Sequence, residues 1–346
     1  MRESRKGYYG IELLFRGIIE MKTLINGQWT NRKNEKQSND GSFKRKDTEF
    51  RNWITSDGSR GKTGGGGFKA ESGRYHLYVS LACPWAHRAL IFRKLKNLET
   101  HIGVSIVHPI MLENGWEFRT DFPHCTGDQI LGKNSVFELY LAADKNITSR
   151  ASVPLLWDVK QATIVSNESS EIIRMFNSAF EKVSLNELDF YPKTLRTEID
   201  ELNATIYENV NNGVYKTGFA TSQKSYTESF MKLFECLEEL ERRLSVNRFL
   251  LGDKITEADW RLFTTLVRFD VVYVGHFKCN KKRLRDYPSL WGYTRDLYQQ
   301  PGVSETVDLE HIKHHYYGSH KMINPNGIIP AGPSINFQEA HNRKLF

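Results

Sequence analysis

The amino-acid sequence predicts an α/β domain followed by an all-α domain. Up to about residue 185, short segments rich in β-branched and aromatic residues alternate with segments of helical period. From about residue 190 onwards, the apolar residues recur only with the helical period. The chain of 346 residues is long enough for two domains with substantial cores, and its 39% hydrophobic and 12% aromatic residues are typical of a globular protein.

The first half of the α/β domain is predicted to be a strand, a helix and a parallel strand. The segment RYHLYVSLA, residues 74–82, has the aromatic and β-branched content of a strand. The helix over residues 84–99 begins with Pro84, a residue favoured in the first turn. A second strand is predicted over residues 102–109, and a crossover through the helix makes it parallel to the first.

The second half adds an antiparallel pair of strands. A short helix is predicted over residues 135–144, followed by strands over 152–158 and 163–167. The connection between these two strands is too short for a helix, so they must run antiparallel. A helix over residues 168–180 completes the domain. This order of elements is that of a thioredoxin-like domain, which we assign to residues 71–185.

The all-α domain is assigned to residues 190–320. A first apolar stripe consists of Leu195, Ile199, Leu202, Ile206 and Val210. The sequence NNG at residues 211–213 predicts the end of that helix. A second stripe consists of Phe230, Leu233, Phe234, Leu237, Leu240 and Leu244. A further helix, over residues 256–274, opens with Thr256 and Asp259 at capping-box spacing, so we interpret Asp259 as a structural cap and not as a catalytic acid. Residues 321–346 are predicted to form a C-terminal tail.

The net charge of +7 is concentrated in the first 70 residues, which contain fifteen Lys and Arg against eight Asp and Glu. These basic residues are mixed with acids and glycines and form no aromatic-interleaved stripe. We therefore interpret residues 1–70 as a solvated basic extension that wraps a neutral body, with a flexible loop at 57–67, and we expect no nucleic-acid partner. Residues 1–20 precede a second natural beginning at Met21 and are interpreted as an upstream extension.

The expected compartment is the cytoplasm. No apolar run approaches membrane-spanning length, and charged residues interrupt the amino-terminal apolar patch, which makes a poor signal peptide. The four cysteines are scattered without metal-ligand spacing, which is typical of a reducing compartment. No membrane association is expected.

Cys83 is the candidate nucleophile. It lies between the first predicted strand and the first helix, where unpaired backbone N–H groups and the helix dipole favour the thiolate and are expected to lower its pKa. Ala86 occupies the position at which a dithiol redox motif has its second cysteine, so an external thiol must resolve any mixed disulfide. Glutathione is the abundant intracellular candidate. The other cysteines lack this context and are interpreted as packing residues; they are Cys125, Cys236 and Cys279.

Several strings in the sequence, in consistent order, resemble the glutathione transferase superfamily. The strings YHLYVSLACPWAHR, NGW, SNESSEIIRMFN, NNGVYK, RFDVVYVGHFKC and INPNGIIPAGP are similar to those of the glutathionyl-hydroquinone reductases, the Xi-class transferases. The similarity extends from Leu24 to Pro333. It implies a thioredoxin-like domain followed by an all-helical glutathione-transferase domain, glutathione as co-substrate with no bound cofactor, and a homodimer.

The resemblance also implies roles for residues on the glutathione side of the site. Cys83 corresponds to the nucleophile. Val153 precedes Pro154, which the family holds in the cis form, and the exposed valine backbone pairs with the cysteinyl part of glutathione. Glu168 and Ser169 correspond to the residues that bind the γ-glutamyl end, where a helix start suits a carboxylate and Glu168 suits an amino group.

The remaining implied contacts involve aromatic residues and one arginine. Trp116 and Arg150 resemble the family's glutathione contacts at the glycyl side. Tyr215, Tyr273 and Tyr316 resemble the tyrosines that line the hydroquinone pocket, and Tyr316 is our first choice for a hydroxyl that assists the leaving group.

These residues favour an enzyme that removes glutathione from glutathionyl-hydroquinones through a Cys83–glutathione mixed disulfide. An omega-like thioltransferase or dehydroascorbate reductase is the alternative enzyme, and a non-catalytic transferase fold that binds aromatic ligands is the alternative of another class.

A metal ion is not expected from the sequence. His311 and His315 lie one helical turn apart, a spacing that could present two ligands to a metal. No third ligand is apparent at useful spacing.

Overall fold

The structure is a computed structural model that describes residues 22–31, 40–45 and 47–345. The interpretation of residues 1–20 as an extension lies outside the described residues. The described chain begins with a hairpin of strands β1 (Lys22–Ile25) and β2 (Gln28–Asn31). Leu24 binds this hairpin to the α/β domain through backbone hydrogen bonds with Ser149 of 3.0 and 3.1 Å.

The α/β domain has the predicted order of elements. Its strands and helices are β3 (Tyr75–Val79), α1 (Pro84–Leu95), β4 (Ile102–Ile106), α2 (Val136–Ala143), β5 (Leu155–Asp158), β6 (Thr163–Ser166) and α3 (Ser169–Ser178). The sheet order is β4-β3-β5-β6; β3 and β4 are parallel, and the other two pairs are antiparallel. The predicted thioredoxin-like arrangement is confirmed, although most elements are shorter than predicted at one or both ends.

The rest of the chain is helical, as predicted. Its α-helices are α4 (Glu181–Ser184), α5 (Arg196–Ile206), α6 (Gly213–Gly218), α7 (Gln223–Leu244), α8 (Glu257–Arg268), α9 (Pro288–Tyr298) and α10 (Leu309–Ser319). Two π-helical turns extend α5 and α8, at Tyr207–Asn211 and Phe269–Tyr273. Helices α1 and α8 pack against each other and form the main contact between the two halves of the molecule.

The predicted cap of α8 is confirmed. Thr256 donates to Asp259 Oδ2 from its backbone nitrogen and its hydroxyl, at 2.7 and 2.9 Å. The other carboxylate oxygen of Asp259 accepts from the Leu250 backbone and the Tyr293 hydroxyl, both at 2.9 Å. Asp259 is fully buried and joins α8 to α9.

The predicted helix end at residues 211–213 is wrong. The chain passes from α5 through the π-helical turn Tyr207–Asn211 directly into α6. Asn211 is buried, and its side chain donates to the Arg261 carbonyl and to Thr265 Oγ1, at 3.1 and 2.7 Å. These bonds to α8 turn the helix without ending it, a use of asparagine that local sequence does not reveal.

The two ends of the described chain are attached to the body more closely than the sequence predicts. Trp53, Ile54 and Phe68 of the predicted extension are buried in the core. In the C-terminal tail, the Arg343 guanidinium is buried and donates to the carbonyls of Leu244 and Arg248, at 2.7 and 2.8 Å. Among the described residues, no helix combines the length and the apolar character needed to cross a membrane.

Candidate active site

Cys83 lies at the N-terminus of α1, at the position that precedes its first residue, Pro84. Its side chain is only 8% exposed, and Sγ lies 3.5 Å from the Val153 carbonyl oxygen. The peptide bond between Val153 and Pro154 is cis, as the resemblance implies. The sequence-predicted nucleophile and the predicted glutathione-pairing valine are therefore in contact.

The surroundings of Cys83 act on its pKa in opposite directions. Burial raises the pKa of the thiol, and the backbone N–H groups of Ala86 and Trp85 lower it. Arg268 and Arg45 also lower the pKa through their positive charge. Burial has the larger effect, so the expectation of a lowered pKa is wrong for this structure, because the sequence shows the helix terminus but not the depth at which it is buried.

Arg268 is a charged neighbour of Cys83 that sequence reasoning missed. It lies at the last turn of α8, is fully buried, and donates to the carbonyls of Leu81 and Ala82 at 3.0 and 2.9 Å. It also donates to His87 Nδ1 at 2.9 Å. No carboxylate of the described residues lies within ion-pair distance of it. A buried cation without a carboxylate partner is costly, and the positive charge of this one acts on the Cys83 thiol and lowers its pKa.

The predicted γ-glutamyl site lies at the start of α3. Glu168 caps the helix, because its Oε1 accepts from the backbone nitrogen and the hydroxyl of Ser170, at 2.9 and 2.8 Å. Ser169 is buried, and its Oγ lies 3.4 Å from an Arg88 nitrogen. Arg88 in turn donates to Asn211 Oδ1 at 2.9 Å. The structure thus adds a structural role for Glu168 to the predicted binding role, which stays a prediction.

The three predicted tyrosines meet at their hydroxyls. Tyr316 on α10 lies with its oxygen 2.5 Å from that of Tyr215 and 2.9 Å from that of Tyr273. Tyr273 and Tyr316 are buried, and Tyr215 is half-buried. Burial raises the pKa of all three, and Cys83, in its ionised form, further raises that of Tyr215. The hydroxyls therefore stay protonated at neutral pH and can donate hydrogen bonds.

The two remaining predicted contacts occupy different surroundings. The Trp116 ring is buried and stacks on His315, with centroids 4.6 Å apart and planes at 28°, so it packs beside Tyr316 on α10. Arg150 is half-buried, three residues before Val153. Their roles as glutathione contacts stay predictions.

Residues 40–45, which belong to the predicted solvated extension, form a strap over this site. The Arg45 guanidinium carbon lies 4.9 Å from the ring centroid of Trp85 and 5.1 Å from that of Tyr215. Arg45 Nε donates to Asn212 Oδ1 at 3.2 Å. The cation–π geometry places a second positive charge near Cys83.

Comparisons with known proteins agree with this architecture. The family model described as glutathione S-transferase, N-terminal domain, matches residues 82–179, and the one described as glutathione S-transferase, C-terminal domain, matches residues 223–296. Among solved structures, the glutathione-bound structure of the transferase homologue YqjG from Escherichia coli K-12 has a TM-score of 0.87 at 55% identity, covering 93% of this chain and 99% of that one. The Xi-class transferase from Natrialba magadii has a TM-score of 0.89 at 45% identity, covering 94% of this chain and 98% of that one.

Comparison with curated sequences assigns the chain to a narrower group of proteins within this family. It is 56% identical to glutathionyl-hydroquinone reductase YqjG of Escherichia coli (strain K12), over 94% of this chain and 99% of that protein. It is 47% identical to glutathionyl-hydroquinone reductase PcpF of Sphingobium chlorophenolicum, over 91% of this chain and 97% of that protein. The predicted resemblance is confirmed: the chain belongs to the glutathione S-transferase family, in the group that contains the Xi-class transferases and the proteins named glutathionyl-hydroquinone reductases.

Proposed function

We propose that the chain is an enzyme that uses glutathione to remove the glutathionyl group from glutathionyl-hydroquinones, with Cys83 as its nucleophile. The observation that carries the proposal is the cluster of three tyrosine hydroxyls beside Cys83. Thiol–disulfide exchange needs only a thiolate and a glutathione site, whereas an aryl substrate also needs hydroxyl donors for its oxygens. The relatives named glutathionyl-hydroquinone reductases support the same substrate class.

The first half-reaction transfers the glutathionyl group to the enzyme. The Cys83 thiolate attacks the thioether sulfur and forms a disulfide bond with it, and the carbon–sulfur bond breaks. The electron pair of that bond goes to the ring carbon, which takes a proton and becomes C–H. The aryl carbon is reduced by two electrons, and the products are the hydroquinone and a Cys83–glutathione mixed disulfide.

The second half-reaction regenerates the thiolate. A second glutathione, as its thiolate, attacks the glutathionyl sulfur of the mixed disulfide. Glutathione disulfide leaves and Cys83 returns to the anionic form. Because Ala86 replaces a second cysteine, no internal thiol of that motif competes with this step.

The tyrosines assist the departure of the ring. Breaking the carbon–sulfur bond requires the ring to leave its aromatic form, which places charge on a quinoid oxygen. Tyr316 accepts or donates hydrogen bonds with both Tyr215 and Tyr273, so a substrate oxygen that enters the cluster meets preorganised donors. Arg268 and Arg45 stabilise the thiolate form of Cys83. This thiolate is the nucleophile of the first half-reaction and the leaving group of the second.

The test compares two substrates on one variant. Tyr316→Phe should lower turnover of a glutathionyl-hydroquinone by about ten- to a thousand-fold, the usual size of a lost proton donor or polarising contact. Turnover of a simple glutathione mixed disulfide should stay close to that of the unmodified enzyme. Tyr317→Phe is the matched control, since Tyr317 is the next residue of α10 and its hydroxyl is not in the cluster; it should leave both activities unchanged.

An equal loss on both substrates, or no loss on either, would contradict the proposal and favour the thioltransferase alternative. That alternative has its own support in a relative named glutathione S-transferase omega-like 2 of Schizosaccharomyces pombe, which is 49% identical over 87% of this chain and 96% of that protein. Dehydroascorbate, offered as a third substrate, separates the omega-like reductase from general disulfide exchange.

Two further expectations stay predictions. The resemblance implies a homodimer, which light scattering of the purified chain would measure. The cysteine usage indicates a cytoplasmic protein, which cell fractionation would test.

A further inference from the structure

Three potential metal ligands converge where the α/β domain meets the N-terminus of α10. They are His124, in the loop between β4 and α2, and Asp308 and His311, at the start of α10. One ligand atom from each of the three lies within 4.8 Å of the others. His315, which lies one helical turn from His311 in the sequence, is not among them: His311 and His315 bond to different carbonyls, those of Pro123 and Pro109.

His311 is the residue that points to a ligand. Its side chain is fully buried, and Nε2 donates to the Pro123 carbonyl at 2.6 Å, so Nδ1 is the unprotonated nitrogen of a neutral ring. Within the described residues, Nδ1 is buried and has no hydrogen-bond partner. A buried acceptor without a partner is unfavourable, because it has lost its hydration and gained no hydrogen bond in exchange. A neutral histidine whose other nitrogen is fixed by a carbonyl is also the usual form of a metal-bound histidine.

Asp308 and His124 are positioned to complete the site. Asp308 Oδ1 accepts the His311 backbone N–H at 2.8 Å, which fixes the carboxylate at the end of α10. Its Oδ2 lies 2.7 Å from His124 Nδ1. The His124 side chain is 69% exposed, so it can move outwards by the small amount that a metal between the two groups requires. Ligands about 2.0 Å from a tetrahedral ion lie about 3.3 Å apart.

We propose that His124, Asp308 and His311 bind a divalent transition-metal ion, with Zn²⁺ as the natural occupant and water as the fourth ligand. Two histidines and one carboxylate form an established ligand set for zinc, and the exposed side at His124 leaves room for the water. The ion would connect the loop of the α/β domain to α10, the helix that carries Tyr316. Its role is to join the two halves of the molecule, and it takes no part in the sulfur chemistry.

The experiment uses the full chain after treatment with a chelator and dialysis. Titration with Zn²⁺ in a calorimeter should show one site per chain, and Co²⁺ should give the visible absorption of a tetrahedral site. His124→Ala should weaken Zn²⁺ binding by at least about ten- to a hundred-fold, as expected for a lost ligand. Because His124 is exposed, this variant should fold normally, which circular dichroism would verify.

His314→Ala is the matched control. His314 lies on the same turns of α10 and contacts Phe122 next to the site, but it is not one of the three ligands. This variant should bind Zn²⁺ with the affinity of the unmodified chain. Absence of binding in the unmodified chain, or equal binding by His124→Ala, would overturn the proposal; the second result would mean that any bound ion occupies other histidines.

Discussion

At the scale of single residues, the reactivity of Cys83 depends on a balance between burial and positive charge. Burial raises the pKa of the thiol, whereas two backbone N–H groups and the guanidinium groups of Arg268 and Arg45 lower it. A buried thiolate is tolerated only where such groups replace its lost hydration. Arg268 is the most constrained of these groups, since three bonds to the neighbouring backbone and to His87 fix its position.

Removal of the Arg268 charge should therefore raise the pKa of Cys83 further. We expect the alkylation rate of the unliganded enzyme to increase with pH to a midpoint above about 8.5, the reference for free cysteine. Arg268→Met should move the midpoint to still higher pH, and Arg268→Lys should restore part of the change. The measurement is the pH profile of iodoacetamide modification, with Cys83→Ser as the blank for the other cysteines. An unchanged midpoint in a folded Arg268→Met variant would show that the charge does not act on the sulfur.

The sequence predicts Cys83 but not Arg268, and the reason is physical. The position of Cys83 follows from local patterns, an apolar strand followed at once by a proline that begins a helix. Arg268 lies 185 positions later, at the end of an amphipathic helix where an arginine is normally solvated. Its contact with the Cys83 turn exists only because α1 packs on α8, which no local pattern encodes.

At the scale of elements, the π-helical turn Tyr207–Asn211 connects the two halves of the site. It presents Asn211 to Arg88, which in turn lies 3.4 Å from Ser169 at the predicted γ-glutamyl site. Four residues beyond the turn, α6 presents Tyr215 to the hydroxyl cluster. Such turns are frequent at functional sites, where they redirect a helix without ending it.

Asn211→Ala should destabilise the fold and weaken glutathione binding together. It leaves the buried Arg88 guanidinium without this acceptor, and loss of a hydrogen bond to a charged group typically costs about 1.5–3 kcal/mol. Urea unfolding measures the change in free energy, and calorimetry measures glutathione affinity. Asn209→Ala is the control in the same turn, because its amide donates to the Thr205 carbonyl of its own helix; it should cost no more than about 0.5 kcal/mol. Equal effects of the two substitutions would contradict this role of Asn211.

The order of strands and helices was predictable because each element has its own periodicity. The cap of α8 was predictable because its two residues are three positions apart. The continuation of the chain from α5 into α6 was not predictable from such local patterns. Two asparagines and a glycine usually end a helix, but here the side chain of Asn211 bonds to residues of α8 that lie 50 and 54 positions away in sequence. The strap of residues 40–45 was missed for the same reason, since basic residues beside glycines indicate solvent exposure unless an aromatic surface lies opposite.

At the scale of the whole molecule, buried histidines couple the fold to pH. His276 Nε2 lies 3.0 Å from His320 Nδ1, and the His315 ring centroid lies 5.3 Å from that of His320. Burial lowers the pKa of His276 and His315 to about 4 each and that of His320 well below its ordinary value. In the unfolded chain the same groups titrate near 6.5.

Stability should consequently fall as the pH drops from about 6.5 to about 4. In this window the unfolded chain binds more protons than the folded one, so each such histidine lowers the free energy of unfolding by up to about 1.4 kcal/mol per pH unit. Urea unfolding at pH 7.5, 6.0 and 5.0 measures the decline. His315→Gln should make it shallower, because it removes one of the buried histidines. A free energy that is constant over this range would show that these histidines are protonated in the folded state.

The bonds from Arg268 to the carbonyls of Leu81 and Ala82 have a consequence for how such proteins can be recombined. The turn that carries the sulfur obtains part of its geometry, and part of its electrostatic field, from a guanidinium that belongs to the helical half. The two halves are consequently not interchangeable modules. A chimera that joins this α/β half to a foreign helical half would keep the cysteine and lose the group beside it. New aryl specificity is better sought by substituting the residues around the tyrosine hydroxyls, while the packing contact between α1 and α8 is kept unchanged.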